Sequence, residues 1–251
     1  MLALLGTSFT FLMTALGAAT VFFFARKVCE RAQGALLGFA AGVMMAASVW
    51  SLILPAIEQT EAEGRLPPFL PAAAGIVLGA LTLFLLDELV RRRGGGEVHS
   101  DFLLLSAITL HNIPEGMAVG VVYAGSMQPE QVGSVSFASA FALAVGIALQ
   151  NVPEGAIVAM PLRQAGMSRV KAFTLGMLSG AVEPLGALLT IGLAAVFAPM
   201  MPVMLSFAAG AMLYVVVEEL VPEMAQGTHT NVGTVLFAVG FSLMMAMDYI
   251  L

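Results

Sequence analysis

The sequence predicts an all-α membrane protein with eight transmembrane helices, a 3+2+3 inverted-repeat arrangement and both termini outside. Three observations predict it: the composition, a series of long apolar runs, and the distribution of Lys and Arg. Of 251 residues, 59% are hydrophobic and only 10% are charged, and the mean hydropathy is +0.96. Soluble domains carry about 25% charged residues. The share of hydrophobic residues is higher than a soluble core needs, which indicates a protein that faces lipid.

Apolar runs account for nearly the whole chain. A helix that crosses a bilayer needs about 20 apolar residues. Eight runs of about that length, joined by short connections, lie at about 2–24, 34–57, 67–90, 101–124, 133–160, 170–197, 201–221 and 231–250. We expect the first run to be kept rather than cleaved as a signal peptide, because its basic residues Arg26, Lys27 and Arg31 follow it.

Positive charge is confined to alternate connections. Nine of the ten Lys and Arg residues follow the first, third and fifth runs. The positive-inside rule makes those connections cytoplasmic, so that eight runs leave both termini outside. The net charge of −6 is not a nucleic-acid-binding signature, and the single cysteine, Cys29, excludes an intrachain disulfide.

Two pairs of similar segments indicate an inverted repeat. LHNIPEGMAVG (110–120) and LQNVPEGAIVA (149–159) lie on neighbouring runs, which cross the membrane in opposite directions. FAAGVMMAASVWSLILPAIE (39–58) resembles FAAGAMLYVVVEELVPE (207–223), five runs later and therefore also opposed. For this second pair, a chance match of common small-residue strings is the alternative.

The opposed pairs group runs 1–3 against runs 6–8, with runs 4 and 5 between them. We therefore expect one transmembrane transporter domain over 1–251, with repeats at about 1–90 and 170–251 and a central helix pair at about 101–160. Secondary transporters often have this plan, with a binding site near the midplane.

The repeated motif places polar side chains on one helix face within apolar runs. His111 and Glu115 are four residues apart, as are Gln150 and Glu154, and this spacing puts each pair on one face. An ionised carboxylate at the bilayer centre costs roughly 2.5–3.5 kcal/mol on insertion scales. Because every Lys and Arg lies near a run end or in a connection, we expect these carboxylates to be protonated or to meet a cation.

Each motif also contains a proline. Pro114 cannot donate to the carbonyl of Leu110, and Pro153 cannot donate to that of Leu149. We expect both helices to be broken there, against protein or a water-filled cavity.

The polar side chains form a mixed nitrogen and oxygen set, which suits Zn²⁺, Fe²⁺, Mn²⁺ or Cd²⁺ better than Cu⁺. The candidate metal ligands in the motifs are His111, Asn112, Glu115, Gln150, Asn151 and Glu154. Glu183 in the sixth run adds a carboxylate, and Met44 in the second run adds a thioether. The alternatives are a protonated interhelical hydrogen bond for Glu183, packing for His111 and Met44, and capping of the proline breaks by Gln150 and Asn151.

In these motifs the sequence resembles the ZIP family (Zrt/Irt-like proteins) of divalent-metal transporters, and most of all its prokaryotic zinc-transporting branch. The resemblance covers nearly the whole chain and implies eight spans and a homodimer. It implies a primary transport site of His111, Glu115, Gln150, Glu154 and Met44. It also implies an adjoining second site of Asn112, Glu115, Asn151, Glu154 and Glu183.

Polar residues near the run ends predict an entrance and an exit. The entrance residues are Ser51, Glu58 and Asp248. The exit residues are Asp87, Glu218, Glu219 and His229. Ser51 and the exit positions are similar to pathway positions of the family. The alternative for the terminal acids is a solvated helix face.

The expected function is import of a divalent transition metal, Zn²⁺ before all others. The alternatives are a broad-range carrier or channel for Fe²⁺, Mn²⁺ or Cd²⁺, and a non-transporting membrane metal sensor. An intramembrane metalloenzyme would need a motif such as HExxH, which the sequence lacks, so we expect no enzyme. We expect a multi-pass protein of the plasma membrane, the bacterial inner membrane, with the metal ion and the lipid bilayer as its partners.

Overall fold

The structure is a computed structural model that describes residues 2–23, 30–64, 66–93, 100–127, 136–164, 166–197, 200–225 and 231–250. Within the helices, the side chains of 2–5, 7, 30, 90, 91, 93, 100–111, 161, 164 and 194–197 fall outside this description. Of the predicted site residues, His229 lies outside the described residues, and His111 is described by its backbone alone.

The described ranges consist of helices and turns, without a strand, so the all-α prediction is confirmed. The α-helices are α1 Leu2–Ala18, α2 Thr20–Phe23, α3 Glu30–Ala47, α4 Leu54–Glu63, α5 Phe69–Arg93, α6 Ser100–Ser126, α7 Phe137–Gln164, α8 Arg169–Ser179, α9 Val182–Phe197, α10 Met201–Val215, α11 Val221–Met224 and α12 Val232–Ile250. Two π-helical segments, π1 Ser48–Ile53 and π2 Val216–Leu220, join α3 to α4 and α10 to α11.

Six described stretches are long and apolar enough to cross a membrane, which indicates a multi-pass membrane protein. They are Arg31–Glu63, Phe69–Leu89, Phe137–Met160, Arg169–Leu193, Met201–Met224 and Val232–Ile250. These coincide with predicted runs 2, 3, 5, 6, 7 and 8. Run 1 corresponds to α1 and α2, where the apolar part Ser8–Phe23 is shorter, and run 4 corresponds to α6. The count of eight spans and the outside placement of the termini stay predictions.

The helical backbone is regular at the two motif prolines and irregular near two other prolines. Helices α6 and α7 continue through Pro114 and Pro153, so the expected breaks there are wrong. Each π segment ends two residues before a proline, Pro55 or Pro222. A proline ring clashes with the carbonyl four residues earlier, and a widened π turn before it gives that carbonyl room.

The predicted sixth run is interrupted between α8 and α9. Pro184 has no N–H for the carbonyl of Gly180, and the N–H of Glu183 donates to it instead, at 3.1 Å. Glu183 therefore lies in the first turn of α9 rather than in the middle of a helix. The positive end of a helix dipole favours a carboxylate at that place.

The helices pack into two bundles. In the first bundle (α1, α2, α6, α7, α8 and α9), α1 packs along α7 and α6 packs along α9. In the second bundle (α3, α4, α5, α10, α11 and α12), α3 packs along α12 and α5 along α10. Glycines permit the close crossings: a Cβ added to Gly155 would lie 2.1 Å from the carbonyl oxygen of Thr14, and one added to Gly42 would lie 2.1 Å from that of Phe237. All candidate metal ligands except Met44 belong to the first bundle.

Candidate metal-binding site

The two copies of the motif meet through a hydrogen bond between α6 and α7. The Nε2 atom of Gln150 donates to Oε1 of Glu115 at 2.5 Å, and both residues are fully buried. An ionised carboxylate only accepts hydrogen bonds, so the amide nitrogen faces Glu115 when that residue is ionised. Oε2 of Glu115 and Oε1 of Gln150 are left without a hydrogen-bond partner.

A second cluster surrounds Glu183 and joins α1, α7 and α9. Nδ2 of Asn151 donates to Oε2 of Glu183 at 2.8 Å and to the carbonyl oxygen of Thr10 at 3.2 Å. The hydroxyl of Thr14 donates to Oε1 of Glu183 at 3.0 Å. All four residues are buried. Each oxygen of Glu183 thus has a donor, whereas Oδ1 of Asn151 has no partner.

Asn112 supplies a hydrogen bond that is missing at the interruption between α8 and α9. The N–H of Glu183 donates to Gly180, so the carbonyl of Ser179 lacks the donor that a continuous helix would supply. Nδ2 of Asn112 donates to this carbonyl at 2.8 Å, and Asn112 is 2% exposed. A buried carbonyl without a donor is unfavourable, and Asn112 therefore links α6 to the end of α8.

Glu154 brings a further carboxylate to the same region. It is partly buried, and its Oε1 atom is buried without a partner. Its charge interacts with the charges of Glu115 and Glu183. Like charges this close repel each other more strongly away from water, so a cation among them is favoured.

Four buried oxygens of this region have no hydrogen-bond partner. They are Glu115 Oε2, Gln150 Oε1, Asn151 Oδ1 and Glu154 Oε1, and the one other such side-chain atom in the described structure is Thr20 Oγ1. Buried polar atoms are nearly always hydrogen-bonded to protein or water, so their concentration in the two motifs marks a place where water or a ligand can bind. Carboxylate and amide oxygens suit a divalent cation.

The described carboxylates are too few to form a metal site by themselves. Among the described residues, no group of three or more His, Cys, Asp or Glu side chains could hold a metal ion. A site here therefore needs the oxygens of Gln150 and Asn151, or the side chain of His111, which lies outside the description. The structural alternative, in which Gln150 and Asn151 cap proline breaks, is wrong, because both donate to carboxylates across helices.

Met44 lies in the core next to the site helices. It is fully buried in a cluster that includes Ala118 of α6 and Ile147 of α7, each three residues from Glu115 or Gln150. Its part in metal binding stays a prediction.

The predicted entrance residues are partly brought together. The hydroxyl of Ser51 on π1 donates to Oδ1 of Asp248 on α12 at 2.9 Å, and Ser51 is buried. Glu58 is exposed on α4. The polar contact between π1 and α12 lies within the second bundle.

The predicted exit residues also lie on the second bundle, except His229, which is outside the described residues. Oδ2 of Asp87 on α5 accepts a hydrogen bond from the Tyr214 hydroxyl on α10 at 3.1 Å. Glu218 is exposed and Glu219 is partly buried, both on π2.

The first helix contributes residues that the sequence analysis missed. Thr10 and Thr14 lie in the cluster around Glu183. Ser179 of α8, also missed, accepts a hydrogen bond from Asn112 through its backbone carbonyl. The sequence signal for Thr10 and Thr14 is weak, since a threonine in an apolar helix usually donates to its own helix. Gly116 of the first motif allows α6 to approach α9 closely, because a Cβ there would lie 2.3 Å from the carbonyl oxygen of Glu183.

Three known proteins that are similar to this chain are named as zinc transporters. A family model described as ZIP Zinc transporter matches residues 96–248. The zinc transporter ZIP11 of Homo sapiens is 35% identical over 98% of this chain and 96% of its own length. The zinc transporter ZIPB of Bordetella bronchiseptica is 39% identical over 98% of this chain and 80% of its own. The zinc transporter GufA of Myxococcus xanthus is 37% identical over 94% and 93%.

Proposed function

The chain belongs to the ZIP family of zinc transporters, and we propose that it imports Zn²⁺ into the cytoplasm through the buried oxygen cluster of the first bundle. The observation that carries this proposal is the set of four unpartnered buried oxygens on the two motif helices. The relatives are named as transporters and not as enzymes, in agreement with the absence of an HExxH motif from the sequence.

Zinc is the substrate, and the proposed ligands are those of the primary set. Glu115, Gln150 and Glu154 offer unpartnered oxygens, and His111 occupies in the first motif the position that Gln150 occupies in the second. Zn²⁺ accepts imidazole nitrogen and carboxylate oxygen, and Met44 adds a thioether to this proposal. Mixed neutral and anionic ligands favour binding that is also releasable, as conduction requires.

Repeated contacts support the 3+2+3 inverted repeat. The repeat symmetry pairs run 1 with run 6 and run 4 with run 5. Exchanging the two members of each pair turns the α1–α7 packing into the α9–α6 packing. The same exchange relates run 2 to run 7 and run 3 to run 8, and it converts the α3–α12 packing into the α10–α5 packing. The segments π1 and π2 also correspond.

Side-chain contacts obey the same exchange. Asn112 of the first motif donates to a backbone carbonyl of α8, and Asn151 of the second donates to one of α1. Gly116 packs on the backbone of Glu183, and Gly155 packs on that of Thr14. Each motif helix therefore meets its neighbour at corresponding positions.

The two bundles favour a particular form of transport. The proposed ligands, apart from Met44, lie in the first bundle, and the entrance and exit residues that the structure describes lie in the second. Each bundle contains helices of both repeats, so we propose that the first bundle moves against the second, rather than repeat against repeat. Such motion would expose one site to each side of the membrane in turn.

We extend the proposal to cellular placement and assembly. From the Lys and Arg distribution we propose that both termini lie outside and that eight spans cross the plasma membrane, which is the inner membrane in a bacterium. A homodimer is proposed from the family resemblance alone.

The test is Zn²⁺ influx into proteoliposomes that contain the full chain. We expect uptake by the native protein and its loss in Glu154→Gln and in His111→Ala. Glu61→Gln is the matched control, because Glu61 is an exposed carboxylate at the end of α4 and its loss should leave uptake unchanged.

Competition by Fe²⁺, Mn²⁺ and Cd²⁺ ranks the metals in the same vesicles. Equal inhibition by all three would replace the zinc preference with a broad-range carrier. Zinc binding without uptake by the native protein would overturn the importer and leave a metal sensor.

A further inference from the structure

We propose that Glu183 is a latch rather than a zinc ligand, and that this chain holds a single zinc ion in the first bundle. The latch is the set Glu183, Asn151 and Thr14, which ties α9 to α7 and α1. This inference rests on the proposed function, because it concerns the same transport site. It differs from the second metal site that the sequence resemblance implies.

The three carboxylates of the region differ in how their oxygens are used. Glu115 and Glu154 each keep one buried oxygen without a partner. Both oxygens of Glu183 accept hydrogen bonds, from Thr14 at 3.0 Å and from Asn151 at 2.8 Å, and the residue is fully buried. Charge-assisted hydrogen bonds are about twice as strong as neutral ones, so zinc would have to compete with two of them at Glu183.

The orientation of Asn151 excludes its amide nitrogen from metal binding. Its two partners, the carboxylate of Glu183 and the carbonyl of Thr10, can only accept hydrogen bonds, so the amide group that faces both must be the NH₂. An N–H dipole repels a cation that approaches Glu183 from this side. Only Oδ1 of Asn151, which lacks a partner, remains as a metal ligand.

Thr14 completes the latch from the opposite repeat. Gly155 packs on Thr14 as Gly116 packs on Glu183, so these two residues hold corresponding positions. Two carboxylates at these positions would repel each other and attract a second cation. The hydroxyl of Thr14 donates to Glu183 instead, and the interaction holds α1 and α9 together.

The first test is the number of zinc ions bound per chain, measured by equilibrium dialysis and metal analysis on the purified full chain. We expect one zinc for the native protein and a second one in Asn151→Asp, which replaces the amide donor with a carboxylate next to Glu183. Two zinc ions per native chain would overturn the latch. Absence of zinc from the native chain would overturn the proposed function itself.

The zinc affinities of two carboxylate variants separate latch from ligand. We expect Glu154→Gln to weaken zinc binding at least about tenfold, as expected for the loss of a metal ligand. In Glu183→Gln we expect the dissociation constant to stay within about threefold of the native value. Equal weakening in both variants would make Glu183 a ligand and contradict the proposal.

Transport by two Thr14 variants tests the latch when the Glu183 variants fold poorly. Thr14→Val is isosteric but cannot donate, and we expect it to lower the maximal uptake rate about tenfold at an unchanged half-saturating zinc concentration. Thr14→Ser keeps the donor and should restore most of the rate. A purely packing role predicts the reverse order, with valine tolerated and serine impaired, and that order would refute the latch.

Discussion

At the scale of single residues, the two asparagines of the motif each donate a hydrogen bond to a backbone carbonyl, but only one of these carbonyls lacks a backbone donor. Asn112 donates to the carbonyl of Ser179, and Asn151 donates to that of Thr10, each on a neighbouring helix. Only Ser179 belongs to an interrupted helix, so only Asn112 replaces a missing backbone donor. Asn151 has donor capacity left for Glu183.

Asn112→Ala should destabilise the fold through the carbonyl of Ser179. Removing one partner of a buried hydrogen bond costs about 1–3 kcal/mol, so we expect a lower unfolding temperature for the purified protein. Asn112→Asp is the sharper variant, because an ionised aspartate cannot donate and its protonated form can. Its stability should rise, relative to the native protein, as pH is lowered. A variant whose unfolding temperature follows the native pH profile would contradict the proposed contact.

At the scale of helices, the crossings of the first bundle depend on glycine. Gly116 lies against Glu183 on α9, and Gly155 lies against Thr14 on α1. In both places a methyl group would meet backbone atoms that cannot turn aside. The position of the site helices therefore depends on residues that bind nothing.

Gly116→Ala and Gly155→Ala should both reduce thermal stability and zinc uptake. The added Cβ atoms would lie 2.3 Å from Glu183 O and 2.1 Å from Thr14 O, so the helices must separate. Gly192→Ala is the matched control, because this residue of α9 has no atom within 4 Å of an added Cβ. Alanine is favoured over glycine in a helix by about 1 kcal/mol, so the control should be as stable as the native protein or more so. Equal effects of all three substitutions would show that the crossings are not the cause.

Helix boundaries show what could be predicted from the sequence and what could not. Apolar runs predicted the positions of the helices, because burial in lipid requires length and hydrophobicity alone. Proline predicted irregular backbone at the wrong places: Pro114 and Pro153 lie within continuous helices, whereas Pro55 and Pro222 follow π turns. The sequence shows that a proline lacks an N–H, but it does not show whether neighbouring helices compensate for the lost hydrogen bond, because that depends on packing.

The site was predictable to the same degree. Repetition of a costly carboxylate predicted Glu115 and Glu154 as candidate ligands, and the structure adds that each has a buried oxygen without a partner. The donors around Glu183 could not be predicted, since Thr14 comes from a distant helix and resembles any threonine that bonds within its own helix.

At the scale of the whole molecule, orientation in the membrane is predicted from basic residues at and near the helix ends. Nine of ten basic residues lie in the connections predicted to be cytoplasmic, and the single cysteine, Cys29, lies in the first of them. This residue lies outside the described structure, so its side of the membrane is a prediction from charge.

Cys29 should react with a membrane-permeant maleimide and not with an impermeant one added to right-side-out vesicles. Cys29→Ser combined with Glu63→Cys moves the only thiol to the exposed end of α4, which the same topology places outside. This double variant should be labelled by both reagents. Labelling in the opposite pattern would invert the orientation, and labelling of both proteins from outside would refute the assigned spans.

The correspondence between Thr14 and Glu183 has a consequence for the energy of the transport cycle. Two identical, oppositely oriented repeats would relate the outward-open and inward-open states by a two-fold rotation in the membrane plane and give them equal energy. Residues that differ between corresponding helices, Thr14 against Glu183 in the repeats and Gln150 against His111 in the central pair, remove that degeneracy. The same few side chains would then choose a substrate and also set which side of the membrane the empty transporter faces at rest.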